Sequence, residues 1–355
     1  MKKILQLTIV GCGAAANDLA WLTHLTPGVK LTACCDISKE RAAVFARKHR
    51  IPRVYTNFEE MLTEAPMDAV YLAVPHNYHF EMIKTAVDAS IHVFTEKPIT
   101  RTLSEGQEIV AYARERHVKL GVNYQYRYDR GCYRLAYLVQ SGKLGRVLYA
   151  RTNIPWHREK TYFEDSPWHK TVAQAGGGTL ITQASHMIDT ALWAISSKPV
   201  SAMGYTDRKV FMDVEVEDFA AGTVLFDSGA VLQLTSSMAA ASEQGISIEI
   251  YGENGTGIYS NKPWPRVKFI QGEKSTRAEI GSTGSLSMTS SIVKSRWKVP
   301  YFGVHAMHRC LMGFRDWVLY DRPFLIPGEA ALPALAVVEA IYKSARDKRW
   351  VEIQI

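Results

Sequence analysis

Short apolar runs alternate with stretches of helical periodicity through the first third of the chain. Leu5–Val10 is apolar enough for a central strand. Ala15–Leu25 reads as a helix stopped by Pro27-Gly28, and Leu31–Cys35 as a second strand. Ser38–His49 sets Ala42, Phe45, Ala46 and His49 on one helical stripe. Val54-Tyr55 is a short strand, after which Asn57 caps a helix with Glu60 at capping-box spacing. Asp68–Val74 is an apolar strand closed by Pro75. Helix Phe80–Ala89, strand Ile91–Phe94, helix Leu103–Arg116 and strand Lys119–Val122 follow, with Thr102 and Glu105 again at capping-box spacing. This alternation predicts a doubly wound parallel sheet covered on both faces.

The rhythm changes near residue 125, which divides the chain into residues 1–124 and 125–355. A helix over Gly131–Gln140 ends at Ser141-Gly142, and a long helix over Thr179–Ile195 follows three glycines. Between about 200 and 270 strands succeed one another without helices. Asp227-Ser228-Gly229 and Glu253-Asn254-Gly255 supply the turn chemistry. The second part is therefore expected to be an α+β domain on an open, mostly antiparallel sheet. Residues 271–300, rich in Ser, Thr and Lys, read as a loop or lid, and helices over 305–320 and 329–346 close the chain.

Composition narrows the function. The 355 residues are 47% hydrophobic, enough for two cores without disulfides or metal. The five cysteines form no CxxC pair and fit reduced core residues of a cytoplasmic protein. No apolar run reaches membrane-spanning length, and Leu5–Val10, broken by Gln6 and Thr8, fits a strand better than a secretory leader. The net charge of +7 is spread along the chain, and no basic run with interleaved aromatics points to nucleic acid.

Gly11-Cys12-Gly13-Ala14-Ala15-Ala16 follows the first strand and opens a helix, the G-x-G-x-x-A form of a dinucleotide-binding turn. Its glycines permit a tight turn and close approach to pyrophosphate, and the helix N-terminus favours the anion. Asp36 ends the second strand, where a carboxylate accepts from ribose hydroxyls and repels a 2′-phosphate, favouring NAD over NADP. Ser38, Lys39 and Arg41 are placed either to hold a phosphate or to stand as solvated helix-start residues. Glu96-Lys97-Pro98 follows the apolar run Ile91–Thr95. A lysine there lies at the carboxyl edge of the sheet and can polarise a reacting oxygen.

Together these motifs resemble the glucose–fructose oxidoreductase / inositol dehydrogenase (Gfo/Idh/MocA) family. The resemblance is carried by Gly11-Cys12-Gly13, by Asp68-Ala69-Val70 leading to Ala73-Val74-Pro75-His76-Asn77-Tyr78-His79, and by His92-Val93-Phe94-Thr95-Glu96-Lys97-Pro98. Gly142-Lys143-Leu144-Gly145, Gly176-Gly177-Gly178 running through His186-Met187-Ile188-Asp189, and Ala340–Ala345 extend it to nearly the whole chain. It implies a Rossmann domain joined to an α+β domain whose open sheet makes a homodimer or homotetramer. It also implies that Val74, Pro75, His76, Asn77 and His79 lie along the cofactor, and that Glu96, Lys97, Arg127 and Trp168 stand toward the nicotinamide.

Thr182, His186 and Asp189 fall on one face of the expected long helix, at about 100° per residue. A histidine there can exchange a proton with a substrate hydroxyl, and the resemblance implies that His186 is catalytic. Many family members carry an aspartate at the position of Thr182, a departure that removes a charge. Asp189 could orient His186 instead or make a structural bond. Gln183, and the loop with His157, Arg158 and Tyr162, are expected to meet substrate, with Trp156, Trp168 and His169 beside them. The expected reaction is hydride transfer between NAD(P) and a secondary alcohol of a sugar, cyclitol or related polyol. His186 takes the hydroxyl proton, and Lys97 stabilises the alkoxide or relays its proton. An NAD-dependent glycosidase of the same fold and a non-catalytic cofactor sensor are the alternatives.

Overall fold

The computed structural model describes residues 3–241, 245–262, 266–270, 280–281, 300–301 and 303–355. They form two compact units, one of residues 1–125 with 300–332 and the other of 126–299 with 333–355.

The first unit alternates as its apolar rhythm predicts: β1 (Leu5–Val10), α1 (Ala14–Thr23), β2 (Val29–Cys35), α2 (Lys39–His49), β3 (Val54–Tyr55), α3 (Phe58–Glu64), β4 (Ala69–Leu72), α4 (His79–Asp88), β5 (His92–Thr95), α5 (Leu103–Glu115) and β6 (Leu120–Val122). All strands pair in parallel, in the order β3-β2-β1-β4-β5-β6. The order reverses between β1 and β4, and ligands of open α/β sheets bind at such a point, outside the carboxyl ends of the strands. Local chemistry sets the helix starts. Ser38 and Asn57 accept from the backbones of Arg41 and Glu60, and Thr102 with Glu105 completes a capping box. The stripe Ala42, Phe45, Ala46 and His49 is the buried side of α2.

A boundary near residue 125 does not by itself describe this unit, because residues 300–332 return to it. Phe314, on the helix Ala306–Tyr320, stacks on Phe94 of β5 at 4.8 Å, and Phe324 packs edge-on against both rings. The Ile326 carbonyl accepts from Val122 N–H, extending the bonding beyond β6.

The second unit begins with α6 (Arg130–Gln140), β7 (Val147–Pro155), and the short helices α7 (Thr161–Glu164) and α8 (Val172–Ala175). It continues with α9 (Ser185–Ile195), β8 (Pro199–Asp207), β9 (Phe219–Phe226), β10 (Val231–Ser237), β11 (Ser247–Gly252), β12 (Thr256–Ser260), β13 (Arg266–Ile270) and β14 (Ile280–Gly281). Then come α10 (the helix Ala306–Tyr320 above), α11 (Gly328–Asp347), which crosses the division between units, and β15 (Val351–Glu352). The described strands form one sheet, β14-β13-β12-β11-β7-β10-β9-β8-β15, antiparallel except where β10 runs parallel to β7. One face is covered by α6, α9 and the second half of α11, and Ile341 sits where a side chain at Gly204 or Gly222 would stand. Exposed Tyr149, Met203 and Tyr205 mark strands at the uncovered side.

Two differences from the expected elements matter for the site. The segment expected as one long helix begins with a π-helical stretch, Leu180–Ala184, and becomes α-helical only at Ser185. The strand β7 was not expected. Its buried positions Ala150, Thr152 and Ile154 alternate with exposed Arg151 and Asn153, and its partners lie far along the chain. The polar segment expected as a loop at 271–300 lies outside the described residues, apart from 280–281 and 300.

Candidate active site

In the first unit the expected residues gather at the carboxyl ends of β1, β2, β4 and β5. Gly11 has φ +82°, and a Cβ there would stand 2.2 Å from the Ala73 carbonyl oxygen, so backbone contact between the ends of β1 and β4 demands glycine. A Cβ at Gly13 would meet nothing within 4 Å. Gly13 and Ala14 are exposed, Ala15 is half-buried, and no side chain caps α1. Asp36 is buried, and its Oδ2 accepts from Cys12 N–H at 2.9 Å while Oδ1 accepts from Ser38 N–H at 2.9 Å. Arg41 approaches the same carboxylate at 3.6 Å, and the Ser38 hydroxyl is occupied as the α2 cap. Cys12 therefore contributes structure through its N–H. Its thiol is pushed up by the hydrogen bond with Cys34 and by burial, and the Cys35 thiol is pushed up to about 12 by burial, so neither is a ready nucleophile.

Beyond β4, Val74 and Pro75 are half-buried and His76 is buried. Asn77 Oδ1 is buried without a hydrogen-bond partner, an acceptor that a bound ligand would satisfy. His79 differs from the place along the cofactor that the resemblance implies. Its ring is fully buried and lies between two carbonyls, Pro98 O at 2.7 Å from Nδ1 and Val74 O at 3.0 Å from Nε2. Burial holds its pKa down. A neutral imidazole has one N–H to donate, so His79 ties one of these loops by a full hydrogen bond and packs against the other. Glu96 is similarly occupied. Its Oε1 accepts from the Tyr71 hydroxyl and from Asn123 Nδ2 (2.7 Å), and its Oε2 lies 3.3 Å from Lys97 N–H. The residue before Lys97 is thus pinned to β4 and to the end of β6.

In the second unit His186 is buried in the first turn of α9, and its imidazole packs against the Tyr126 ring at 5.4 Å. Asp189, one turn on, takes the second of the two roles open to it, a structural bond. It makes a buried bidentate pair with Arg127, Nε to Oδ2 at 2.8 Å and Nη2 to Oδ1 at 2.7 Å. Burial pushes the Asp189 carboxyl up while the guanidinium pulls it down. Arg127 also lies over the Trp193 ring. The pair joins α9 to the segment carrying Tyr126, so it positions the ring beside His186.

Thr182 lies within the π-helical stretch. Such stretches are rare and frequent at functional sites; in this one the Thr182 hydroxyl donates back to Gly178 O at 2.7 Å. Glu217 holds the start of the stretch. Its carboxylate accepts from Gly178 N–H (2.7 Å), Leu180 N–H (2.9 Å) and the Tyr342 hydroxyl (2.8 Å), and burial pushes its pKa up. A Cβ on Gly178 would stand 1.8 Å from the Glu217 carbonyl oxygen, and one on Gly177 would stand 2.2 Å from the Tyr342 hydroxyl. Sequence alone gives no sign of Glu217 or Tyr342, because their partners are remote in the chain.

Of the expected substrate residues, Gln183, Arg158 and Tyr162 come together. Gln183 Oε1 accepts from Arg158 Nη2 at 2.8 Å, and its Nε2 donates to the Tyr162 hydroxyl at 3.2 Å. Burial pushes the Tyr162 phenol up. His157 is held through Nδ1 by Ala240 O at 2.6 Å. Trp168 packs at a tilt against His169, which stacks on Tyr162, so the structure groups Trp168 with the loop that carries Tyr162.

Residues 5–124 match the family description "Oxidoreductase family, NAD-binding Rossmann fold", and residues 133–257 match the GFO/IDH/MocA C-terminal domain. The chain belongs to the GFO/IDH/MocA oxidoreductase family. Among curated members, a 1,5-anhydro-D-fructose reductase of Ensifer adhaerens is 27% identical over 71% of this chain and 75% of its own length. A myo-inositol 2-dehydrogenase of Thermotoga maritima is 22% identical over 99% of both chains. In fold, this GFO/IDH/MocA chain is similar to an oxidoreductase domain protein from Kribbella flavida (TM-score 0.87, 19% identity, 99% of this chain and 100% of the other). It is also similar to the WlbA dehydrogenase from Bordetella pertussis (TM-score 0.82, 22% identity, 99% and 100%). The chain is an NAD-binding oxidoreductase. Its residues fit the cofactor: the space over Gly13 leaves the α1 N-terminus open to pyrophosphate, Asp36 stands at the end of β2, and Asn77 offers an unsatisfied acceptor. Among the described residues no helix is long and apolar enough to cross a membrane.

Proposed function

We propose that this protein is an NAD-preferring dehydrogenase of a sugar, cyclitol or related polyol, with His186 and Lys97 as its catalytic residues. The observation that carries the reading is the fixing of Lys97. It is the second residue beyond the carboxyl end of β5, and Glu96 before it is pinned by Tyr71 and Asn123. A cation on so constrained a backbone suits a developing alkoxide. His186 takes the proton of the substrate hydroxyl, its ring buttressed by Tyr126. The nicotinamide, when bound, accepts the hydride. Gln183, Tyr162 and Arg158 orient substrate, and Asp36 selects NAD by receiving the ribose hydroxyls. The names of the curated relatives, acting on a sugar derivative and an inositol, support the substrate class.

The test is a panel of sugars, cyclitols and sugar acids with NAD and with NADP, followed at the reduced-nicotinamide absorbance. NADH formation with a defined subset is expected. Release of an aglycone without net NADH would contradict the reading in favour of glycoside cleavage, and absence of any turnover would favour a sensor. We further propose that the uncovered side of the β7–β15 sheet joins copies of this chain. Sedimentation velocity at micromolar concentration is then expected to give a dimer or tetramer; a monomer would refute this.

A further inference from the structure

Arg158 sits in a setting that leaves its charge unmatched. Its backbone N–H donates to Met238 O, and Trp156 N–H donates to Ser237 O, so the segment is fixed beyond the ends of β7 and β10. The guanidinium is half-buried and lies over two rings, Trp156 and Tyr162, each centroid 5.4 Å from its central carbon. Ring contacts of this kind hold the guanidinium without consuming its N–H donors. Its hydrogen bonds go to neutral acceptors, Nη1 to His157 O at 3.1 Å and Nη2 to Gln183 Oε1 at 2.8 Å. A guanidinium has more donors than these two bonds use and is charged at all ordinary pH. Among the described residues no carboxylate pairs with it, and the acids of its own loop, Glu159, Glu164 and Asp165, are exposed. Arg127, which also reaches that helix, is by contrast matched bidentately by Asp189.

Position gives the unmatched charge a purpose. Gln183, which accepts from Arg158, lies three positions before His186 and also donates to Tyr162. An arginine oriented by the catalytic helix, half-desolvated and paired with no acid among the described residues, is set to receive an oxyanion from outside the chain. Its planar fork suits a carboxylate or phosphate and gives a neutral hydroxyl no comparable bond.

We infer that Arg158 binds an oxyanion of the substrate, so that the sugar oxidised is an acid, carrying a carboxylate or a phosphate, and not a neutral polyol. This rests on the dehydrogenase reading for its consequence in turnover, but the binding claim is tested separately. The enzyme saturated with NADH is titrated calorimetrically with D-glucuronate, D-glucose 6-phosphate and D-glucose, then with D-galacturonate and D-galactose. At least one acid is expected to bind about 10- to 100-fold more tightly than its neutral counterpart. The glucuronate and glucose 6-phosphate arms distinguish carboxylate from phosphate. In Arg158→Gln the acid-to-neutral ratio is expected to fall to about one, and in Arg158→Lys to an intermediate value, with melting curves confirming that both variants fold. Equal binding of acids and neutral sugars, or a preference that survives Arg158→Gln, would overturn the inference. If acids bind selectively but no compound yields NADH, the dehydrogenase reading fails and the oxyanion site stands.

Discussion

At the scale of single residues, most of the second unit's candidate polar groups are paired with one another, and the pairings decide their roles. Arg127 and Asp189 show this best. The spacing of Asp189 from His186 is visible in the sequence, but its bidentate partner lies on a different segment and could not be read there. The same holds for Glu96, whose partners are Tyr71 of β4 and Asn123 just beyond β6, and for His79, whose buried ring lies between two loops. The placing of Gly11, Gly13 and Lys97 beyond strand ends was legible because it depends on local order. What depends on tertiary pairing was hidden. Arg127→Ala would strand the Asp189 carboxylate in the core, at a cost of about 3–5 kcal/mol. Urea unfolding is expected to show that loss, with Arg127→Lys losing less; an unchanged midpoint in Arg127→Ala would mean that the pair is not buried as described.

At the scale of elements, two glycine turns do different work. In the turn after β1 there is room at Gly13, and in the turn before α9 there is none at Gly178. Gly13 has ordinary backbone angles and open space beside it, so Gly13→Ala is expected to hold its stability within about 0.5 kcal/mol. It should weaken NADH binding on the order of tenfold or more, because the methyl occupies the pyrophosphate approach. Gly178 abuts the Glu217 backbone, so Gly178→Ala is expected to destabilise by about 1–3 kcal/mol or more through overpacking. Melting curves and fluorescence titration with NADH check both, and a thermal lesion from Gly13→Ala would contradict the contrast. Nearly every element of the first unit could be read from the sequence, because parallel strands buried on both faces are continuous apolar runs and the helices carry local caps. The π-helical stretch could not, since Leu180–Ala184 has an unremarkable apolar pattern and its form follows from Glu217, Gly178 and Tyr342. Strand β7 escaped for a similar reason, its polar outward positions masking the alternation.

At the scale of the whole molecule, both family matches and both units agree on an NAD-binding oxidoreductase. The sequence did not reveal that residues 300–332 belong to the first unit, because Phe314 and Phe324 meet Phe94 only in the fold. The central claim is that Lys97 and His186 perform the reaction and leave cofactor binding to other residues. It is tested most directly by comparing NADH formation and NADH affinity in the wild type, Lys97→Met and His186→Ala, using a substrate found in the panel. Turnover is expected to fall at least about 100-fold in each variant, while the Kd for NADH stays within about threefold, a change under about 1 kcal/mol. Near-wild-type turnover in both variants, or a loss explained wholly by failure to bind NADH, would contradict it.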